Sequence, residues 1–234
     1  MSGNTGVEHQ ADEDILLRED KDGIARLTLN RPAAFNGLST ELLTRLREEI
    51  EHIGEDAGVR VVVIAANGRG FCAGHDLREV RSNQNDRAYM KTLLDLCSQT
   101  MMSIVKCPKP VIARVHGIAT AAGCQLVASC DLAVAEDGAM FGTPGVNIGL
   151  FCHTPMVALS RNVHRKHAME MLLTGEMINA EDAIRFGLIN RTAPLAALDE
   201  TVGSLARRIA SKSSYTLAIG KEAFYNQLDK PNLA

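Results

Sequence analysis

No apolar run in this 234-residue chain approaches the roughly 20 residues a helix needs to cross a bilayer, so no membrane-spanning helix is expected. Neither sign of charge predominates. With 25 basic against 28 acidic residues the net charge is −3, and the surface as a whole offers nucleic acid no general attraction. There is no C-x-x-C pair and no zinc-ligand spacing among the six cysteines, Cys72, Cys97, Cys107, Cys124, Cys130 and Cys152. A metal site is therefore not expected. Four of the six sit in apolar or small-residue stretches and read as reduced structural thiols, which places the chain in the cytoplasm. Residues 1–14 are polar and acidic. They lack the apolar core of a secretion signal and the Arg-rich, acid-poor character of a transit peptide, and read as a flexible leader.

What is present is enough apolar side chain, 46% of residues, to build a core in one globular domain. Ile15 to Arg18 and Gly23 to Asn30 read as a hairpin around Asp22-Gly23. Ser39 or Thr40 caps a helix to about Ile53, with Leu42, Leu43, Leu46, Ile50 and Ile53 at helical spacing. Val59 to Ala66 is a β-branched run suited to a buried strand. A long helix follows, with Met90, Leu93, Leu94, Cys97, Met101, Ile104 and Val105 on one face. Pro110 to Val115, Asp131 to Ala135 and Leu188 to Thr192 read as strands, and a short helix carries Gln125 to Ala128. Strands alternating with helices predict an α/β fold, with a core over residues 15–193 and a helical C-terminal subdomain over 194–234.

Two loops stand out. Each follows a buried strand and each is rich in Gly and Ala: Gly70-Phe71-Cys72-Ala73-Gly74-His75-Asp76-Leu77, and Gly117-Ile118-Ala119-Thr120-Ala121-Ala122-Gly123-Cys124-Gln125. Small residues let a ligand approach the backbone. The second loop opens a helix, whose free N–H groups favour a negative oxygen. Two such amides aimed at one point make an oxyanion hole. Tight packing of strand on helix would call for the same small residues.

Leu29-Asn30-Arg31-Pro32-Ala33-Ala34-Phe35-Asn36-Gly37-Leu38 resembles the N-R-P-x-x-x-N-A-L opening of the enoyl-CoA hydratase/isomerase (crotonase) family. Phe71 to Leu77 is similar to its F-x-A-G-x-D-L loop. Val115 to Asp131 resembles V-x-G-x-A-x-G-G-G-x-x-L followed by C-D, and Phe141 to Leu150 resembles F-x-x-P-E-x-x-x-G-L. Four motifs occur in the family's order. The resemblance implies a crotonase-like spiral of ββα units and assembly as a homotrimer or hexamer. It also implies an acyl-CoA substrate, with CoA part of the substrate and no separate cofactor. Carried over by position, the oxyanion amides are those of His75 and Ala122. Ala33, Ala73, His75, Asp76, Leu77 and Arg78 would line the CoA. Arg31 and Arg78 would either meet CoA phosphates or remain solvated charges. Asp76 is read as a brace of its loop rather than a catalytic acid.

The chain departs from the family at the two glutamates that position and activate water in its hydratases. Gln125 stands at the first and Gly145 at the second. Neither can exchange a proton, and general acid–base catalysis typically supplies about 10²- to 10⁴-fold. Hydration should be weak, and glutamate at both positions should raise it if the pocket keeps its shape. His153 aligns with a position where some relatives carry an active-site aspartate. It is read as the proton-transfer residue, in a partly apolar setting beside Phe151 and Cys152, or as a hydrogen-bonding partner of a neighbouring loop. Family members usually continue beyond the point where this sequence stops, with helices that help cover the acyl pocket, so the subdomain looks truncated. The resulting expectation is an enzyme acting on an acyl-CoA. Its alternatives are a non-catalytic acyl-CoA-binding protein or a partner subunit of a mixed trimer.

Overall fold

The computed structural model describes residues 14–228. Apart from Asp14, the leader expected over 1–14 lies outside the described residues, as do residues 229–234 at the other end. Asp22 and Gly23 both take positive φ, 53° and 75°, which makes a tight turn between β1 (Leu16–Lys21) and β2 (Ile24–Leu29). These strands pair antiparallel, and β2 then pairs parallel with β3 (Val61–Ala66). From there β4 (Val111–Val115), β6 (Leu132–Glu136) and β9 (Arg191–Ala193) add in parallel, giving a six-stranded sheet ordered β1-β2-β3-β4-β6-β9. The last strand is shorter and later than the expected Leu188 to Thr192, because Leu188 and Ile189 fold back as a turn onto Ala183.

A second layer was not legible in the sequence. Strands β5 (Ile118–Thr120), β7 (Met140–Gly142) and β8 (Met177–Asn179) form a small three-stranded sheet. Single bridges join Cys72 to Ala119 and Leu38 to His75. Strands β2, β3 and β4 are each followed by a short extended piece in this layer and then by a helix. After β2 come Leu38 and α1 (Thr40–Glu55). After β3 come Cys72 to His75, then α2 (Leu77–Ser82) and α3 (Arg87–Lys106). After β4 come β5 and α4 (Ala122–Ser129). Repeated turns of strand, short strand and helix make the ββα spiral.

Ser39 Oγ accepts from Leu42 N at 3.2 Å and starts α1, whose Leu42, Leu43, Leu46, Ile50 and Ile53 are buried. Helix α3 packs against α1. After α5 (Pro155–Asn162), α6 (Arg165–Thr174) and α7 (Ala180–Phe186), helix α8 (Leu195–Ala210) covers the other face of the main sheet. Its Leu198, Val202, Leu205 and Ala206 share a core with Val61, Val63, Ile112 and Val134. The C-terminal helical stretch therefore completes the sheet's packing. After it, α9 (Ser214–Leu228) has no fully buried side chain. Polar contacts hold it: Lys221 Nζ reaches Asp131 at 2.7 Å and the carbonyls of Ile104 and Lys109, and Tyr225 donates to Asp131 at 2.9 Å. Among the described residues no helix is long and apolar enough to cross a membrane.

Candidate active site

The second layer brings the two Gly/Ala loops into contact. Thr120 N donates to Cys72 O at 3.0 Å, and Thr120 Oγ1 to Ala73 O at 3.0 Å. The approach explains the small residues. A Cβ on Gly123 would lie 2.2 Å from Cys72 O, and one on Gly74, where φ is 93°, would lie 3.0 Å from Ala121 Cβ and 3.3 Å from Ala122 N. No side chain fits at Gly74 or Gly123, so the seam is lined largely by backbone.

Two amides on the seam have no protein acceptor among the described residues. Leu38 N donates to Gly74 O at 2.7 Å and Asp76 N to Leu38 O at 3.1 Å. These bonds straddle His75, so in a parallel bridge its own N–H points the other way. Ala122 is the first residue of α4, whose N-cap, Ala121, makes no side-chain cap; its N–H is one of the orphan donors of a helix start. Ala121 holds φ 49° and ψ −119°, a conformation costing an alanine on the order of 1–3 kcal/mol. One tertiary and one helical bond keep it there: Ala121 N donates to Gly142 O at 2.9 Å, and Ala121 O accepts the first bond of α4 from Gln125 N at 3.0 Å. Two free amides on touching loops can bind one oxygen and favour it as an anion.

The His75 ring has two nitrogens that are buried without a hydrogen bond. Burial depresses its pKa. The nearby Leu38 backbone and Glu79 act the other way, although neither ring nitrogen reaches hydrogen-bonding geometry with Leu38. Gln125 lies one helical turn on from Ala121 and Ala122, on the same face of α4. It is only 5% exposed, and its Oε1 has no partner.

Asp76 acts on its own loop. Its Oδ1 accepts from Arg78 N and caps α2, and its Oδ2 pairs with Arg31 at 2.8 Å. Burial opposes its ionisation, but the Arg31 guanidinium and the amides of Arg78 and Glu79 prevail and hold the carboxyl below its ordinary range. Arg31 also donates to Gly37 O. Its guanidinium therefore braces the loop from within instead of standing free for a phosphate. Ala33, Ala73, Leu77 and Arg78 are exposed.

Gly145 is buried, in a 3-10 turn over Pro144–Ile148. A Cβ there would lie 2.2 Å from Leu150 O and 2.8 Å from Cys152 Sγ. The segment after Gly149 has folded into the space a side chain would need, held by Leu150 N donating to Gly145 O at 2.9 Å. The expectation that glutamate at 145 would restore an acid assumed an open pocket, and this backbone closes it. The glycine itself was the one sequence signal of that closure. His153 is exposed, with Nδ1 3.3 Å from Phe151 O, and Phe151 is 37% exposed. The partly apolar setting expected for His153 is not what the fold supplies. Among the described residues no group of three His, Cys, Asp or Glu side chains could hold a metal.

A sequence model of the enoyl-CoA hydratase/isomerase family matches residues 19–234. The chain belongs to that family. A rat relative, enoyl-CoA hydratase domain-containing protein 3, mitochondrial, is 49% identical over 89% of this chain and 69% of its own length. The crystal structure of an enoyl-CoA hydratase from Mycobacterium smegmatis superposes with a TM-score of 0.91 at 51% identity, over 93% of this chain and 85% of that one. That of human enoyl-CoA hydratase domain-containing protein 3 gives 0.89 at 46%, over 92% and 85%. The crotonase-like α/β fold is thus established for this family member. The cytoplasmic location is overturned, since the rat, mouse and human relatives are named as mitochondrial proteins. The inference from cysteines failed for a physical reason. All six are buried, and burial pushes the thiols of Cys72, Cys97 and Cys124 up to about 12, so they stay reduced by shielding and do not report a compartment.

Proposed function

We propose that this crotonase-family protein binds an acyl-CoA thioester and holds its carbonyl oxygen between the N–H groups of His75 and Ala122, stabilising an enolate. The observation that carries the reading is that these two amides lie on touching loops and have no acceptor among the described residues. The exposed Ala73, Leu77 and Arg78 beside His75, and Ala33 in the turn after β2, suit the CoA arm, with Arg78 exposed to approach a phosphate. CoA belongs to the substrate, and the reading calls for no other cofactor.

Hydration is not the reaction we assign. The first acid is replaced by the neutral carboxamide of Gln125, and backbone fills the place of the second. The same closure favours one second reading, a non-catalytic acyl-CoA-binding protein or partner subunit. Turnover of a panel of CoA esters separates the two, and calorimetric titration with butyryl-CoA tests the binding they share. Three or six copies is the assembly we propose, and the apolar side chains Ile148, Leu150, Met156 and Val157, exposed on neighbouring segments, support burial of this face against another chain. Native mass measurement decides it.

A further inference from the structure

We propose that the imidazole of His75, and not only its backbone N–H, acts in the reaction, as the base that moves a proton on the carbon next to the thioester carbonyl. Among the described residues six buried side-chain nitrogen or oxygen atoms lack a hydrogen-bond partner, and three of them are His75 Nδ1, His75 Nε2 and Gln125 Oε1. They belong to the two residues that flank the free amides. An unpaired buried polar atom is destabilising, so this concentration marks a place where a ligand supplies the partners.

The other candidate groups are engaged or badly placed. Asp76 is taken by Arg31 and by two amides. Glu79 accepts from Thr40 N at 2.9 Å and Thr40 Oγ1 at 2.7 Å. The thiols of Cys124 and Cys152 are pushed up by burial and stay protonated, and His153 is exposed. The His75 ring is tied by a few covalent bonds to the N–H that grips the oxygen, and the reacting carbon is bonded to the carbon bearing that oxygen. Burial keeps the ring neutral, as a base must be at the start. Glu79, held still by Thr40, favours the charged ring once the proton has arrived.

The step balances without an added reagent. The Cα–H bond breaks and its electron pair forms the enolate double bond. The carbonyl π pair moves to the oxygen held by the two amides, and the proton goes to a ring nitrogen. Return of a solvent-derived proton to Cα exchanges that hydrogen. Return to a more distant carbon of an unsaturated chain moves its double bond. Gln125 remains neutral throughout and hydrogen-bonds the acyl group.

The inference rests on the thioester reading, and the experiment separates the two. The whole protein is incubated with butyryl-CoA or octanoyl-CoA in D₂O, loss of the Cα–H signal is followed by proton NMR, and ester affinity is measured by calorimetry. The parent should exchange Cα hydrogen. His75→Ala and His75→Gln both keep the amide, so both variants should still bind the esters, while exchange falls about 100-fold or more. Added imidazole should restore exchange to His75→Ala, which repair of a structural defect would not do. If His75→Ala fails to fold, His75→Gln, which retains bulk and polarity, carries the test. Exchange within threefold of the parent in either folded variant overturns the proposal. So does a parent that binds the esters without exchanging them, or loss of exchange in His153→Ala with His75→Gln unaffected. Failure of the parent to bind either ester overturns the thioester reading itself.

Discussion

Adding a side chain at Gly145 is the sharpest test of how this pocket is closed. The glycine's φ is outside the left-handed region, so the backbone conformation itself accepts alanine, and any cost is steric. One methyl at this position would overlap Leu150 O at 2.2 Å and Cys152 Sγ at 2.8 Å. The first contact is with backbone, which cannot rotate away as a side chain tip can. Leu150 is anchored by its own N–H to Gly145 O, so segment 149–152 must move as a whole. Overpacking of this kind typically costs about 1–3 kcal/mol. We expect about 2 kcal/mol for Gly145→Ala, or roughly 4–8 °C in Tm at this chain length. Gly145→Glu should cost more, because it also buries a carboxylate with no partner provided. Thermal and urea unfolding measure the loss, and crotonyl-CoA hydration by the Gln125→Glu, Gly145→Glu double variant measures any gain. We expect no useful gain. A Gly145→Ala protein that melts within about 1 °C of the parent, or a double variant that hydrates vigorously, would refute the closure.

Other consequences follow from the same geometry. Ala122→Pro removes one amide at a helix position that tolerates proline; turnover of any thioester substrate should fall about 10²- to 10³-fold, and unchanged turnover in a folded variant rules the hole out. Asp76→Asn tests the loop brace through pH. Because the folded carboxyl titrates below its ordinary value of 3.8, its contribution is present above that value and is lost as pH falls through the lower folded one. The parent should therefore lose stability in acid more steeply than Asp76→Asn, and parallel acid limbs in urea titrations would contradict the pairing. Lys221→Ala leaves Asp131 mostly buried with its cation gone, which should cost about 3–5 kcal/mol and strip amide-exchange protection from α9 first. Full protection of α9 in that variant would mean the latch is not what holds it.

The sequence by itself determined the fold class and drew attention to the two loops of the candidate site. β-branched runs such as Val61 to Ile64 can only be buried, and the helical spacing of Leu42, Leu43, Leu46, Ile50 and Ile53 names its inward face. The two Gly/Ala loops were visible because a seam lined by backbone excludes side chains, and that exclusion is written into composition. Three-residue strands such as β5 and β7 were not visible, since a pattern of period two needs more residues than that to register. Nor could spacing show that Arg31 turns inward to Asp76 across 45 positions, or that His153 faces solvent while the His75 ring is buried. These are choices of direction about a fixed backbone, made by which loops come to lie side by side. The closure at Gly145 belongs to the same class. A glycine in place of an acid says only that a side chain is gone, and it took the folded path of Gly149 to Cys152 to decide that the space had gone with it.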